Sequence, residues 1–160
     1  MKVQTPSLDA RGLRIALVVS RFNHLISVRL LDGAREALLA RGHDTKDLSL
    51  FWVPGAFEIP LAARSLARTG RFDAIVTLGS VIRGGTPHFD YVCRGVTDGV
   101  REVMREWDVP VGFGVLTTDN LDQALARAGG SDGNKGGEVA LAAIEMACQR
   151  RSLEGGANPS

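Results

Sequence analysis

Short apolar runs alternate along the chain with longer stretches whose apolar residues recur at helical spacing. Residues 14–19 (RIALVV) predict a buried strand. Residues 25–41 then place Ile26, Leu30, Leu31, Ala34 and Leu38 on one helix face, and Gly42 supplies a stop. Leu48–Val53 (LSLFWV) reads as the second strand, broken by Pro54-Gly55. Residues 57–68 read as a helix that tolerates Pro60 in its first turn. Residues 74–79 (AIVTLG) form the third predicted strand. A Gly-rich loop over 80–88 leads into a long helix striped by Val92, Val96, Val100, Val103 and Trp107. Residues 111–116 are the fourth strand, after which Thr117, Thr118 and Asp119 offer N-caps for a short helix through Ala128. Residues 129–133 read as a loop, and residues 135–151 as a last helix with Val139, Ala143, Met146 and Ala147 inward.

Strands alternating with helices imply parallel strands joined by right-handed crossovers. The expected fold class is therefore α/β: a three-layer α/β/α sandwich around a four-stranded parallel sheet, flavodoxin-like. Residues 1–12 are extended and polar, either an arm or a strand lent to a neighbour. Residues 13–152 form the expected domain, and residues 153–160 an expected disordered tail.

Composition narrows the function. A 160-residue chain that is 44% apolar and 23% charged suits one globular domain. A net charge of +1 gives no basic field, so no nucleic-acid partner is expected. No apolar run approaches a membrane span, and the N-terminus lacks a signal-peptide core, so a soluble, cytoplasmic protein is expected. Cys93 and Cys148 read as small buried apolar residues, not as a disulfide. His24, His43 and His88 lack metal-ligand spacing, so no metal site is expected.

Ligands of an open α/β sheet sit beyond the carboxyl ends of its strands, so chemistry is sought there. Gly84-Gly85-Thr86 is either a plain turn or a phosphate cradle of backbone N–H groups with a hydroxyl, beside a helix N-terminus. It is not a Walker A loop, because no Gly-Lys-Ser/Thr follows. His88 either caps the helix starting near Asp90 or carries protons near neutral pH. Phe22 is either a core plug or a platform for a flat heterocycle. Glu58 either serves the helix dipole or accepts hydrogen bonds from a polyol. Arg127 is either a surface charge near a helix end or a fork for a phosphate, and the segment 134–136 carries the same ambiguity. A flavodoxin-like electron carrier fits poorly, since its phosphate loop would follow the first strand, where SRFN lacks glycines.

Six segments then appear in order: VSRFN (19–23), WVPGAFEIP (52–60), GSVIRGGTPHFDYVC (79–93), FGVLTTDN (113–120), RAGG (127–130) and GNKGGE (133–138). With these, the chain closely resembles the lumazine synthase family of riboflavin biosynthesis over nearly its whole length. The resemblance implies a transferase that condenses 5-amino-6-(D-ribitylamino)uracil with 3,4-dihydroxy-2-butanone 4-phosphate. The product is 6,7-dimethyl-8-ribityllumazine, phosphate and water are released, and no cofactor takes part. It implies that Phe22 stacks on the pyrimidine with Asn23 beside it. Ala56, Phe57 and Glu58 would line the uracil side, with Glu58 holding ribityl hydroxyls. Ser80, Val81 and Ile82 would bind the ring through backbone groups. Gly85 and Thr86 would hold the phosphate with Arg127, and His88 would carry the proton. Phe113 would close the ring pocket and Lys135 would help hold the pyrimidine.

In the family the pocket lies between subunits, with the residues around 113, 127 and 135 coming from the second chain. The implied partners are two small-molecule substrates and further copies of the chain in a homo-oligomer. That oligomer is a pentamer or a sixty-subunit icosahedral shell, with room for association with riboflavin synthase. The short loop before Asn134 is compatible with the shell. Three positions depart from the common pattern: Gly130-Ser131-Asp132 lacks a frequent lysine, residue 85 is Gly, and Arg94-Gly95 replaces a commoner pair. A carrier that binds a lumazine without catalysis, and a scaffold whose role is assembly, are the alternatives. Loss of His88 or Arg127 would favour the carrier, and both residues are present.

Overall fold

The computed structural model describes residue 1 and residues 3–155. Strand β1 (Ile15–Ser20) is buried along its whole length. A strand covered on both faces needs apolar residues at every position, hence the unbroken run in the sequence. It lies between β2 (Leu48–Val53) and β3 (Ala74–Ile82), and β4 (Val111–Thr118) flanks β3. All three pairings are parallel, in the order β2-β1-β3-β4.

Parallel neighbours require crossover helices. Helices α1 (His24–Ala40) and α5 (Lys135–Gly155) pack on one face, and α2 (Ile59–Arg68) and α3 (His88–Trp107) on the other. Successive β1 side chains feed the two cores alternately. Ile15, Leu17 and Val19 join the core under α1 and α5, while Ala16 and Val18 join the core under α2 and α3. This is the expected three-layer flavodoxin-like sandwich. The short α4 (Leu121–Arg127) and a small antiparallel pair, β5 (Ala128–Gly130) with β6 (Gly133–Asn134), fill the stretch between β4 and α5.

The buried face of α1 is the predicted one, with Ser27 added. The helix ends at Ala40, and Gly42 takes φ +83°, a left-handed value that glycine adopts at no steric cost. Helices α1 and α5 cross closely. A Cβ on Gly136 would lie 2.0 Å from the Leu30 carbonyl oxygen, so only glycine fits there. Asn134 locks the crossing. Its Nδ2 donates to the Arg29 carbonyl at 2.9 Å, and its Oδ1 accepts from the Gly136 N–H at 2.9 Å.

Several boundaries differ from the sequence reading. Strand β3 continues three residues past Gly79, and β4 continues to Thr118, so Thr117 and Thr118 pair with Val81 and Ile82 instead of capping a helix. The cap of α4 is Asn120, whose Oδ1 accepts from the Gln123 N–H at 2.9 Å. Residues 129–133 are not a bare loop but join β5 to β6. Met146, expected inward, is 49% exposed, because Ala140, Ala143, Ile144 and Ala147 form the buried face of α5. Cys93 and Cys148 are free and only half-buried. Burial, reinforced by Asp90, pushes the Cys93 thiol up and keeps it protonated.

Before β1, residues 3–12 hold no strand. The segment docks at Ala10, whose N–H donates to the Arg41 carbonyl at 2.9 Å, and at the buried Leu13. Helix α5 runs to Gly155, past residue 152, and residues 156–160 of the expected tail lie outside the described residues.

Candidate active site

The strand order reverses between β1 and β3, because α1 carries the chain to one side of β1 and α2 carries it back across. Such a switch point opens a crevice at the carboxyl ends of the strands. A cleft of about 410 Å³ occupies that place. Phe22 lines it from the end of β1, Ala56, Phe57 and Glu58 from the turn after β2, and Ser80, Val81 and Ile82 from the end of β3. Thr86 and His88 close it from the loop and first residue of α3.

Local rules set each side chain. Asn23 holds a left-handed backbone (φ 57°, ψ 47°) and starts α1. Its Nδ2 donates to the Ser80 carbonyl at 2.8 Å, so its amide ties β1 to β3 instead of facing the cleft. The turn leaves the Phe22 ring 71% exposed at the cleft wall, so Phe22 is not a core plug. Across the cleft the Phe57 ring, 61% exposed, lies against Gly95 of α3. A Cβ at residue 95 would meet the Phe57 Cε2 at 2.5 Å. Glycine at residue 95 thus makes room for that ring. Glu58, which lines the cleft, accepts the Gly55 N–H at 2.9 Å through Oε2, and this secures the turn.

Strand geometry decides which backbone groups are free. Residues at i and i+2 of a parallel strand turn their N–H and C=O the same way. Arg83 donates to the Thr118 carbonyl at 2.9 Å, so Val81 and Arg83 face β4. Ser80 and Ile82 face the β1 side, where the β1 pairing has already ended at Leu78. Ile82 therefore presents its backbone to the cleft.

His88 is the first residue of α3, behind the cap position at Pro87, and it makes no side-chain cap. It is exposed, next to the exposed Thr86, at the positive end of a 20-residue helix. Neither Gly84 nor Gly85 has a positive φ, and a Cβ on either would meet nothing within 4 Å. Their smallness leaves open space above the loop; it does not relieve strain within it.

Three predicted residues lie elsewhere. Phe113 lines an apolar groove between β4 and α5 with Met104, Val139 and Met146. Arg127 sits at the end of α4, in an open pocket with Thr117, Asp122 and Asp132. Lys135 pairs with Glu138 at the start of α5. Gly85 belongs to the loop but is not part of the cleft wall.

Sequence reading missed Phe89 and Val92, which face the cleft one residue and one turn after His88. The i, i+1, i+4 spacing on a helix opening at His88 was the available signal. Sequence reading noted Arg83 beside the glycines but missed its partner: the Arg83 Nε donates to Asp119 at 2.8 Å. Among the described residues, no three His, Cys, Asp or Glu side chains cluster as metal ligands, and no helix is long and apolar enough to cross a membrane.

Comparison with known proteins bears on this cleft. Residues 12–151 match the profile of the 6,7-dimethyl-8-ribityllumazine synthase family. Proteins named 6,7-dimethyl-8-ribityllumazine synthase from two strains of Clostridium kluyveri are each 51% identical over 154 residues, covering 96% of this chain and 100% of theirs. The match contains every element that builds the cleft, and the chain belongs to the 6,7-dimethyl-8-ribityllumazine synthase family.

Proposed function

We propose that the chain condenses 5-amino-6-(D-ribitylamino)uracil with 3,4-dihydroxy-2-butanone 4-phosphate to give 6,7-dimethyl-8-ribityllumazine, phosphate and water. The observation that carries the assignment within the fold is one cleft that combines an exposed Phe22 ring with His88 and Thr86 at a helix N-terminus. A flat heterocycle and a phosphate need those two surfaces a short distance apart.

The substrates carry the nucleophile and the electrophile, so the protein contributes orientation and proton transfer. The pyrimidine stacks on Phe22, with Ala56 and Phe57 beside it, and meets the free backbone at Ile82, while Ser80 and Val81 line the wall, their backbone groups being engaged by Asn23 and β4. Glu58 holds ribityl hydroxyls with the oxygen that Gly55 leaves free. Asn23 acts by holding the end of β1 to β3. The butanone phosphate binds over Gly85 and Thr86, where open space and the N-terminus of α3 favour a dianion. The ring amine attacks the ketone, and water leaves as the imine forms. His88 removes the proton that lets phosphate depart, and returns a proton as the enol tautomerises. The ribitylamino nitrogen then closes the ring and a second water leaves.

Phe113, Arg127 and Lys135 face away from this cleft and act from a neighbouring copy, in a pentamer. Arg127 adds its planar fork to the phosphate, Phe113 closes the ring pocket, and Lys135 meets the pyrimidine. The short loop before Asn134 suits a sixty-subunit shell, riboflavin synthase is the partner that consumes the product, and the cytoplasm is the compartment.

The test mixes both substrates with the purified protein and follows the lumazine by absorbance. Acceleration over the uncatalysed background is expected. Pyrimidine binding without acceleration would instead make the protein a carrier.

A further inference from the structure

The loop over Gly84–His88 has little packing of its own, since added Cβ atoms at Gly84 and Gly85 would touch nothing. Its shape must be set where it leaves β3 and where it enters α3. One side chain reaches both places. The Arg83 N–H closes the last rung to β4 at the Thr118 carbonyl, 2.9 Å away. Its guanidinium carbon lies 4.3 Å from the centre of the Phe89 ring, and its Nη1 lies 3.5 Å from Asp90 Oδ1, both in the first turn of α3. Its Nε donates to Asp119 Oδ1 at 2.8 Å.

Asp119 is itself fixed to α4, because its N–H donates to Gln123 Oε1 at 2.8 Å. Arg127 ends that helix. One planar group therefore joins the two ends of the loop that bears Thr86 and His88, and joins both to the helix that bears Arg127.

We propose that Arg83 is a positioning residue, a staple across the base of the phosphate-binding loop that acts through Asp119, Asp90 and Phe89. This rests on the functional reading above, in which that loop binds phosphate. Exposed ion pairs contribute little to global stability, so the effect is local. Charge alone does not suffice: a lysine has no planar fork with which to meet two carboxylates and stack on a ring together. The Asp119 hydrogen bond, assisted by Asp90, raises the Arg83 guanidinium and keeps it committed to these carboxylates.

The test uses Arg83→Ala, Arg83→Lys and Asp119→Asn in the full-length assembled protein. Inorganic phosphate affinity is measured by calorimetric titration, KM for each substrate by initial rates, and folding and assembly by thermal melting and sedimentation. Asp119→Asn is the sharpest variant. Removing a carboxylate near an anion site strengthens anion binding by charge alone, so weaker binding reports lost positioning. The expected result is phosphate affinity lowered on the order of tenfold to a hundredfold in both Arg83→Ala and Asp119→Asn, the cost of misplacing a binding group by about an ångström. Pyrimidine KM and melting temperature should hold, and Arg83→Lys should recover only part of the loss.

Unchanged phosphate affinity in Arg83→Ala overturns the proposal. So does a loss in Arg83→Ala that Asp119→Asn fails to reproduce, since Arg83 would then touch the phosphate itself. So does a parallel loss of both KM values and of melting temperature. Absence of lumazine formation by the unmodified protein would sink the functional reading, and the phosphate titration would still decide the role of Arg83.

Discussion

Two groups of candidate residues behave differently in the fold. Phe22, Ala56, Phe57, Glu58, Ser80, Val81, Ile82, Thr86 and His88 converge on one cleft at the ends of β1, β2 and β3. Phe113, Arg127 and Lys135 are spread over the β4, α4 and α5 side of the same chain. The first group is assembled by topology: parallel strands end at one edge, and the switch point gathers their loops. No element of this chain brings the second group there. The difference teaches that a single copy gathers the first group, while under the proposed function the second group would meet it only from another copy.

The largest expected effect breaks the first group. His88→Ala should lower turnover roughly 10²–10⁴-fold, the usual cost of losing a general acid or base. Initial rates would measure it, and unchanged rates would take His88 out of the mechanism. Arg127→Ala breaks the second group. It should raise KM for the butanone phosphate roughly tenfold to a hundredfold, as for a lost charge-assisted hydrogen bond, and spare the pyrimidine. Equal effects on both substrates would contradict a phosphate-specific role.

Phe22→Ala should weaken pyrimidine binding more gently, by about 0.5–1.5 kcal/mol of stacking plus lost contact area. Fluorescence titration would read it, and unaltered binding would free Phe22 from the site.

The smallest effect sharpens the comparison by lying outside both groups. Asp73 sits at the opposite end of the sheet. Burial raises its carboxyl, but the Arg14 hydrogen bonds and the charges of Arg151 and Arg14 outweigh this and hold it below the ordinary range. Its folded pKa is thus depressed. Its stabilisation is present above the unfolded value of about 3.9 and is lost as pH falls through the folded value. Acid unfolding followed by circular dichroism should lose a step in Asp73→Asn below about pH 4, with lumazine formation at neutral pH unchanged.

The sequence made the cleft half legible because its signals are local. The unbroken run of β1 and the period of α1 fix two elements, and the strand ends follow. Misreadings arose where a local sign had a long-range cause. Gly79 looked like the end of β3, yet it lies within the strand because a Cβ there would meet Ser20 Oγ at 2.5 Å. Thr117 and Thr118 looked like caps, yet they continue β4 because β3 also continues. Asn134 looked like a ligand candidate and serves as the lock between α1 and α5. Arg83 stood beside the glycines in plain view, but its partner Asp119 is 36 residues away. Phe113 enters the site by resemblance alone, and Arg127 and Lys135 carry only an ambiguous local signal, since no single-chain pattern links any of the three to Phe22.

The central claim is a site completed by two copies, and subunit mixing tests it most directly. His88→Ala and Arg127→Ala proteins would be unfolded together, reassembled, and assayed at low butanone phosphate against each variant reassembled alone. If the two residues meet across an interface, random mixing restores both native groups at about a quarter of the sites, and activity should rise well above either parent. If activity stays at the mean of the two parents while mixed assemblies form, His88 and Arg127 do not serve a shared site and the account is wrong.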